Sequence, residues 1–457
     1  MRQLKNLLGA ALLLIFAPPT FTSCGNIDNP LEEIQGSSSS PTPEPPAFNA
    51  KATPLTLEFT EAGEITFCNK AYNPVYYKIN DGETLTIPKT SSGDGTVISV
   101  SAGDIVSFFA DNNNYYPSNY SNIKCTANCY IYGNIMSLIN STDFENATEL
   151  TEEGVFYRLF SDNAKIKNDP SRELVLPATT LTNKCYDYLF ERCTGLTKAP
   201  ELPATTLANS CYYGMFYGCT GLTQAPKLLA TNLAPSCYAF MFSGCSDLAS
   251  APELSALIMK GSCYQAMFQK CTSLTTAPKL PAGGTSGGEL ADMCYAAMFD
   301  GCTGLTTAPT LPATALVQRC YSNMFKECTN LTTPPALPST ELKNECYWGM
   351  FWGCSSLTTA PELPATTLAE NCYNQMFREC SSLNYVKILA TDVSASNCLS
   401  YWLYLTSATG TIVFNDAVTF GTPASPTTTS VTIGTENLTR GDTYIPNNWT
   451  AKKVSDL

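Results

Sequence analysis

The chain has 457 residues, a net charge of −13 and a pI near 4.6, and it contains no histidine. The acidic balance, which no run of Lys or Arg offsets, argues against nucleic acid as a partner. Without histidine the chain cannot build a Ser-His-Asp or Cys-His nucleophile, a histidine metal ligand or an imidazole acid or base. We therefore expect no cofactor, no metal site and no enzyme of the common hydrolase classes.

Residues 1–23 have the order of a secretory signal. Arg2 and Lys5 precede an apolar run from Leu7 to Phe16, which is too short to span a bilayer. The stretch Phe21-Thr22-Ser23-Cys24 resembles a bacterial lipobox, with Phe21 where leucine is more usual. Cys24 is therefore the predicted lipidation site, and a plainly secreted protein is the alternative. Because no other stretch is apolar enough for a membrane helix, the acyl group would be the only membrane anchor.

Residues 24–48 are predicted to be a tether. Asp28, Glu32 and Glu33 follow Cys24 closely, and a run of serine and proline extends from Ser37 to Pro46. Such a composition cannot form a packed core and is typical of a spacer. The acidic residues behind the lipidated cysteine resemble the surface-export signal of lipoproteins in the Bacteroides group. That resemblance implies an outer-membrane protein exposed at the cell surface.

Residues 49–140 predict a small all-β domain. Short runs such as 55–59, 64–67 and 105–109 alternate apolar and polar residues, and turn signals at 80–82 and 92–95 separate them. An antiparallel β-sandwich fits this pattern best. The Asn-rich loop 111–116 could coordinate calcium or contact a glycan, but such loops are more often only loops. Cys68, Cys125 and Cys129 lie in this segment, and the sequence does not decide their redox state.

Residues 141–405 contain an internal repeat. The pattern Cys-Tyr-x-x-(Met/Leu)-Phe-x-x-Cys, here called the cysteine segment, occurs eight times between Cys185 and Cys380, and an incomplete ninth copy starts at Cys398. Each copy starts 26 residues after the previous one, except that the step from Cys263 to Cys294 has five extra residues in a glycine-rich insertion at 283–288. A fixed period of this length predicts a solenoid in which each unit packs against its neighbours.

The cysteine segment is predicted to be a helix. At 100° per residue, both cysteines, Tyr, Met and Phe fall on one face, which would be buried. Two cysteines eight residues apart in a helix lie about 12 Å apart along the axis, beyond the roughly 7 Å that a disulfide allows between Cα atoms. We therefore expect buried free thiols in the repeats. The predicted repeat core is represented by Cys185, Cys193, Cys211, Met215, Phe216, Cys219, Cys346, Met350, Phe351 and Cys354.

The remainder of each unit, Leu-x-x-Ala-Pro-x-Leu and Pro-Ala-Thr-Thr-Leu, suits a short strand and a turn. One strand and one helix per unit predict an α/β leucine-rich-repeat solenoid. The core Met-Phe-x-x-Cys-x-x-Leu, at 215–222, 350–357 and 376–383, resembles the BspA-like leucine-rich repeat surface proteins of oral and gut bacteria. The resemblance covers about residues 150–405. It implies a cell-surface protein that binds host or microbial macromolecules, without fixing any binding residue.

Two further segments are expected to close the ends of the solenoid. A degenerate unit at 155–160, with Asn163 in place of the last cysteine, would cap the first repeat. Residues 406–457, which include the apolar run 411–414, a Thr-rich stretch to Ile433 and the ending Ile445–Trp449, predict a β-rich C-terminal cap.

Two variable columns of residues are candidates for ligand binding. On the predicted helix, the outward positions carry Tyr213 with Tyr217 and Trp348 with Trp352, which could bind a sugar face or a protein partner, or could pack on neighbouring repeats. After the repeated proline, a second column alternates in charge at first, which favours a structural ladder. Its members are Glu201, Lys227, Glu253, Lys279, Thr310, Ala336 and Glu362. The insertion at 283–288 could touch a ligand, although solenoids tolerate insertions well.

Taken together, these features predict a lipid-anchored surface protein that acts by binding, as an adhesin or a capture protein for extracellular proteins or glycans. The alternative is a glycan-binding accessory lipoprotein that serves nutrient uptake. An enzyme is disfavoured because the carboxylates are scattered and no repeated acidic pair faces a predicted cleft.

Overall fold

The repeats wind into a β-solenoid of about eight turns with almost no helix. A computed structural model describes residues 48–90, 94–115, 120–256, 258–280, 289–311, 313–421, 430–439, 441 and 445–457. Cys24 and the glycine-rich insertion at 283–288 lie outside the described residues. We call each repeat unit a coil, name it by its first cysteine, and number the nine positions of the cysteine segment from that residue.

Eight strands precede the solenoid: β1 (Leu55–Phe59), β2 (Gly63–Cys68), β3 (Val75–Ile79), β4 (Leu85–Ile87), β5 (Thr96–Val100), β6 (Ile105–Phe109), β7 (Asn122–Cys125) and β8 (Cys129–Asn134). They form two antiparallel sheets, ordered β8-β1-β6-β3-β4 and β5-β2-β7. The rings of Phe67 and Phe108, one from each sheet, lie 5.8 Å apart in an edge-to-face contact. Alternating apolar residues thus bury the inner faces of both sheets.

The larger sheet continues into the start of the solenoid. Strands β9 (Ile166–Asn168) and β10 (Leu174–Val175) both pair with β8 in parallel, and Phe48–Leu457 form a single unit. The backbone N–H groups of Tyr115 and Ile123 donate to the carbonyl oxygens of Val155 and Leu159 at 2.9 and 2.8 Å. The strands before the repeats therefore pair with the open edge of the degenerate first coil.

The prediction of a helix in each unit, and with it the α/β leucine-rich-repeat class, is wrong. In the part of the chain that the structure describes, the only helices are two short 3-10 helices, Ile135–Leu138 and Val454–Asp456. In the cysteine segments every second N–H donates within its own coil, as Met241 does to Tyr238 at 3.2 Å. The others donate to the next coil: Tyr238, Phe240 and Phe242 bond the carbonyls of Cys263, Gln265 and Met267 at 2.8–3.1 Å.

This backbone has a period of four residues. Positions 4 and 8 and the residue before position 1 have positive φ, with values of 51–61° where the residue is not glycine, as at Lys184, Tyr188 and Arg192. Such a conformation is costly for most residues and persists only where the surrounding structure fixes it. Here the hydrogen bonds to the coils on both sides fix it.

The core consists of columns of identical side chains. Stacked Tyr rings at position 2 follow one another at 5.8–6.1 Å between centroids from Tyr186 to Tyr373. Phe rings at position 6 do the same at 5.6–5.9 Å from Phe190 to Phe377. All ten residues named above as the repeat core are buried, with 0% exposure. Parallel ring pairs add about 0.5–1.5 kcal/mol each beyond their buried area.

The repeat cysteines are buried free thiols. Those at position 9 also have a consistent partner, because each sulfur lies 2.9–3.2 Å from the carbonyl oxygen of the position-6 residue of the preceding coil. The donors are Cys193, Cys219, Cys245, Cys271, Cys302, Cys328, Cys354 and Cys380. A thiol here both fills volume and donates a weak hydrogen bond between coils.

The proline-containing half of each coil pairs with its neighbours through isolated parallel bridges. One pair of coils is joined at Lys198–Gln224, Leu202–Leu228 and Thr206–Asn232. Since proline has no N–H to donate, continuous strands do not form across these residues. Longer strands return only at the C-terminal end.

Two small sheets end the chain. Strands β11 (Tyr385–Ile388), β12 (Gly410–Phe414) and β16 (Trp449–Lys453) are parallel, and they extend the coil pairing past the last repeat. Strands β13 (Thr419–Phe420), β14 (Ser430–Ile433) and β15 (Glu436–Thr439) are antiparallel. The indole N–H of Trp449 donates to the Ser407 carbonyl at 2.8 Å, which holds the last strand against the final coil.

Candidate functional site

Positions 3, 4, 7 and 8 of the cysteine segments form one side of the solenoid, which we call the variable face. It carries all four aromatic residues singled out from the sequence: Tyr213 and Trp348 at position 3, Tyr217 and Trp352 at position 7. All four are half-buried. The two pairs lie five coils apart, so the structure does not bring them together; Tyr213 and Tyr217 belong to one cluster and Trp352 to another.

The first cluster surrounds Tyr188. Its ring lies 5.4 Å from that of Tyr213 and 6.0 Å from that of Tyr217, both edge-to-face, and the Arg158 guanidinium lies 4.5 Å above it. Gly214 makes this packing possible, because a Cβ there would lie 2.5 Å from an atom of the Tyr188 ring. Tyr188 and Arg158 were not predicted, since only the stacking of successive coils places them beside the two tyrosines.

Two carboxylates lie beside this cluster. Glu191 is 4% exposed, forms an ion pair with Arg158 at 2.6 Å and accepts a hydrogen bond from Ser161 at 2.9 Å. Burial raises the pKa of Asp187 to about 7, although the nearby charge of Arg158 opposes this shift. One carboxylate oxygen of Asp187 is buried without a hydrogen-bond partner. The cluster therefore combines tyrosine rings, a guanidinium and an acid that titrates near neutrality.

The second cluster surrounds Trp352. Lys326 and Arg378, at the same position of the preceding and following coils, lie 4.8 and 4.5 Å from the indole ring. Arg378 also lies 5.4 Å from the ring of Tyr404 one coil further on. This column alternates cations and rings, with each cation–π pair worth about 0.5–1 kcal/mol at an exposed site. The ring of Trp352 is thus engaged by both neighbouring coils.

Trp348 differs from the other three predicted residues. Among the described residues, no aromatic ring or cation stacks on its half-buried indole. The neighbouring coils carry Ser322 and Asn374 at the same position. Among the four, its ring is therefore the one on which no ring or cation stacks within the described residues.

The proline side of the solenoid has a groove of about 440 Å³ at Pro335, Pro338, Pro361 and Pro364, and a larger one of about 480 Å³ at the first coils. Residues that line the larger groove include Arg172, Pro177, Lys198, Pro200 and Pro203. Its size is typical of a ligand site. However, two of the three cations in its lining, Lys51, Arg172 and Lys198, are already paired: Arg172 with Glu58 at 2.6 Å, and Lys198 with Glu173 at 2.8 Å. The variable face is the stronger candidate.

The predicted charge ladder on the proline side is largely unpaired. Of the charged residues in that column, Glu362 forms an ion pair, with Lys387 at 3.2 Å. Within the described ranges, no ion pair involves Glu201, Lys227, Glu253 or Lys279. Alternation along the sequence therefore does not give the side-by-side contacts that a structural ladder requires.

No family model, curated protein or solved structure matches this chain. The resemblance to BspA-like proteins therefore stays a prediction that the repeat motif alone supports.

The Asn-rich loop at 111–116 is held to its neighbours by its own side chains. Asp111, in the Asn-rich loop, accepts hydrogen bonds from Ser141, and Asn112 accepts one from the backbone of Asn73, so these side chains hold the loop to its neighbours. Tyr116 of that loop lies outside the described residues. Within the described ranges, no group of three or more metal-ligating side chains occurs and no helix is long and apolar enough to span a membrane.

Proposed function

We propose that this chain is a lipid-anchored, surface-exposed binding protein, an adhesin or a capture protein, that recognises an extracellular protein or glycan through the variable face. The main support is the presence of two clusters of aromatic and cationic side chains on one face of a rigid scaffold. Trp, Tyr and Arg are the residues that dominate binding energy at protein interfaces. Backbone bonds to the coils on both sides hold these side chains, which lowers the entropy cost of binding.

A protein partner is favoured over a sugar at most of these positions. Sugar recognition by stacking needs an open ring face, whereas the Trp352 ring has a cation from each neighbouring coil near it. Tyr188 likewise stacks with Arg158 and with two tyrosines. Side chains held in this way present edges, hydroxyl groups and positive charge, which suit a protein surface with acidic and polar groups.

One observation favours the second candidate, a glycan-binding accessory lipoprotein for nutrient uptake. Within the described residues no ring or cation stacks on Trp348, and its neighbours in the column are the small polar residues Ser322 and Asn374, which leaves this indole as the best candidate for stacking on a sugar. Binding of a polysaccharide that depends on Trp348 alone would support this candidate over the first.

The test is a binding screen of the purified protein against immobilised extracellular-matrix proteins and polysaccharides, followed by single variants. Arg158→Ala removes the guanidinium that stacks on Tyr188 in the first cluster, and Trp348→Ala removes the indole on which no ring or cation of the described residues stacks. Loss of an interface hot spot costs about 2 kcal/mol, or about a 30-fold increase in Kd. Tyr72→Ala is the matched control, because that ring is 65% exposed and lies in the segment before the repeats. Unchanged binding by both test variants would contradict the assignment of the variable face.

Two further outcomes bear on the class of protein. Release of reducing sugar from a polysaccharide by the purified protein would overturn a purely binding function. Metabolic labelling with an alkyne fatty acid should mark the wild-type chain and not a Cys24→Ala variant. Equal labelling of the two would exclude lipidation at Cys24.

A further inference from the structure

The turn between β7 and β8 brings two thiols together. Cys125 ends β7 and Cys129 begins β8, and their sulfur atoms lie 3.8 Å apart in a hydrogen bond. Among the described cysteines, no other pair makes a thiol–thiol hydrogen bond. The two strands belong to different sheets, since β7 pairs with β2 and β8 pairs with β1.

The turn itself is held in place by the β1–β2 connection. The Glu64 N–H donates to the Thr126 hydroxyl at 2.8 Å, and the Thr126 N–H donates to the Glu64 carbonyl at 3.0 Å. Asn128 donates both its backbone N–H and its side-chain amide to the Glu61 carboxylate, at 2.8 and 2.7 Å. With the backbone held in this way, closing the sulfurs from 3.8 Å to the bond length of about 2.0 Å must come from rotation of the two side chains.

Cys125 is the accessible member of the pair. It is the one described cysteine that is only half-buried, whereas Cys129 and the repeat cysteines are buried. The hydrogen bond from the Cys129 thiol lowers the pKa of Cys125, and the same hydrogen bond, with burial, raises the pKa of Cys129. This raising effect of the hydrogen bond ends when the Cys125 sulfur is taken up in a mixed disulfide. Burial likewise raises the pKa of repeat thiols such as Cys193. Thiol–disulfide exchange needs a thiolate with access to its partner, so Cys125 is the expected attacking group.

A residue of the first coil completes the site. Asn163 occupies position 9, where the other coils have a buried cysteine, and its amide nitrogen lies 3.5 Å from the Cys125 sulfur and 3.1 Å from the Ile123 carbonyl. Asn163 is 1% exposed, and its amide oxygen has no hydrogen-bond partner. The amide N–H would stabilise a thiolate at Cys125.

We propose that Cys125 and Cys129 form a reversible disulfide by exchange with a small-molecule or protein disulfide. The Cys125 thiolate attacks one sulfur of the oxidant and forms a mixed disulfide with it, while the other sulfur of the oxidant leaves as a thiolate and takes up a proton. The Cys129 thiolate then attacks the Cys125 sulfur of the mixed disulfide and displaces the second half of the oxidant as a thiol. Two thiols of the protein are oxidised, and one disulfide of the oxidant is reduced to two thiols.

The bond would cross-link β7 to β8 and therefore one sheet to the other. Because Asn163 and Ile123 belong to the contact with the first coil, the cross-link would lie at the point where the solenoid begins. Its expected effect is to restrain this junction, and the proposal does not depend on the proposed binding function.

The experiment uses the whole folded protein in buffers of reduced and oxidised glutathione, followed by alkylation and peptide mass spectrometry without reduction. The expected product is one internal disulfide between Cys125 and Cys129, with the repeat cysteines still reduced. The Cys129→Ser variant should retain a stoichiometric glutathione adduct on Cys125 that the wild type lacks. Cys68→Ser, which changes a buried cysteine outside the pair, is the control and should behave as the wild type.

Either of two results would overturn the proposal. In the first, the wild type accumulates the glutathione adduct on Cys125, which would show that the Cys129 sulfur cannot reach the Cys125 sulfur to displace glutathione. In the second, both cysteines stay reduced in a strongly oxidising buffer and are therefore fully alkylated afterwards. Both results come from the wild-type protein, so they do not depend on the folding of a variant.

Discussion

The hydrogen bonds of the position-9 cysteines can be tested within one coil. Cys237 and Cys245 are both buried, at positions 1 and 9 of the same cysteine segment. The Cys245 sulfur lies 3.2 Å from the Phe216 carbonyl oxygen. The Cys237 sulfur makes no hydrogen bond among the described residues, and the equivalent thiols Cys185 and Cys372 reach a carbonyl of the next coil only at 3.9 and 4.0 Å. Changing each cysteine to alanine and to serine separates hydrogen bonding from filling of volume.

The expected free energies of unfolding follow from these contacts. Cys245→Ala loses a hydrogen bond worth about 0.5–1.5 kcal/mol and leaves a void worth about 1 kcal/mol. The Phe216 oxygen keeps a second donor, the Cys219 N–H at 3.0 Å, so no larger penalty is expected. Cys245→Ser keeps a donor and should be more stable than Cys245→Ala by about 1 kcal/mol. At Cys237 the order should reverse, because a buried hydroxyl without a partner costs about 1–3 kcal/mol.

Urea unfolding followed by far-UV circular dichroism measures all four variants against the wild type. The comparison depends on the order of serine and alanine at each position and not on the absolute values. If serine is less stable than alanine at both positions, the position-9 thiols contribute volume alone and the inferred hydrogen bonds are not stabilising.

Three further predictions follow from the same structure. Gly214→Ala should destabilise the fold by more than about 1 kcal/mol, because the new Cβ would clash with the Tyr188 ring. Gly103 also has positive φ, but a Cβ there would have no atom within 4 Å, so Gly103→Ala should cost less stability in a thermal unfolding assay of both variants. Asp187→Asn should be more stable than the wild type at pH 8 and lose that advantage near pH 4, as measured by urea unfolding at both pH values. The folded-state pKa of Asp187, about 7, exceeds the usual value of 3.8, so ionisation penalises the folded wild type progressively between these values; equal stabilities at pH 8 would contradict the prediction. Thiol titration of the denatured, unreduced protein should detect all 17 repeat thiols, and a count near zero would indicate a disulfide framework.

The repeat architecture was predictable, whereas the local backbone was assigned wrongly. A period of 26 residues is sufficient to indicate a solenoid. The burial of positions 1, 2, 5, 6 and 9 fits a helix of 3.6 residues per turn and also a coil with a period of four. The glycines at positions 4 and 8, such as Gly214, Gly218, Gly349 and Gly353, could have decided between them. Each costs about 1 kcal/mol inside a helix, but suits the positive φ of this coil.

The candidate site could be predicted only in part, for a related reason. Position within one unit identified Tyr213, Tyr217, Trp348 and Trp352 as variable aromatic residues. The partners of three of them come from other coils, since residues that touch are about 26 positions apart in sequence. Arg158 was even harder to identify from the sequence, because its coil lacks the cysteines that define the repeat. Only the register between coils shows which of the four rings contact a ring or a cation of a neighbouring coil and which one does not.

The backbone bonds between coils run along the stack, and this has a mechanical consequence. A tensile load on the two ends of the solenoid would act on the coil-to-coil contacts in series, so the weakest end coil should detach first while the rest stays folded. Each detached coil would lengthen the molecule by about 80–90 Å, because 26 residues extend to roughly 3.3–3.6 Å each and the folded coil already occupies about 5 Å of the stack. Such a chain would unfold one coil at a time under tension and refold when the load falls, which would limit the peak force transmitted between its two ends.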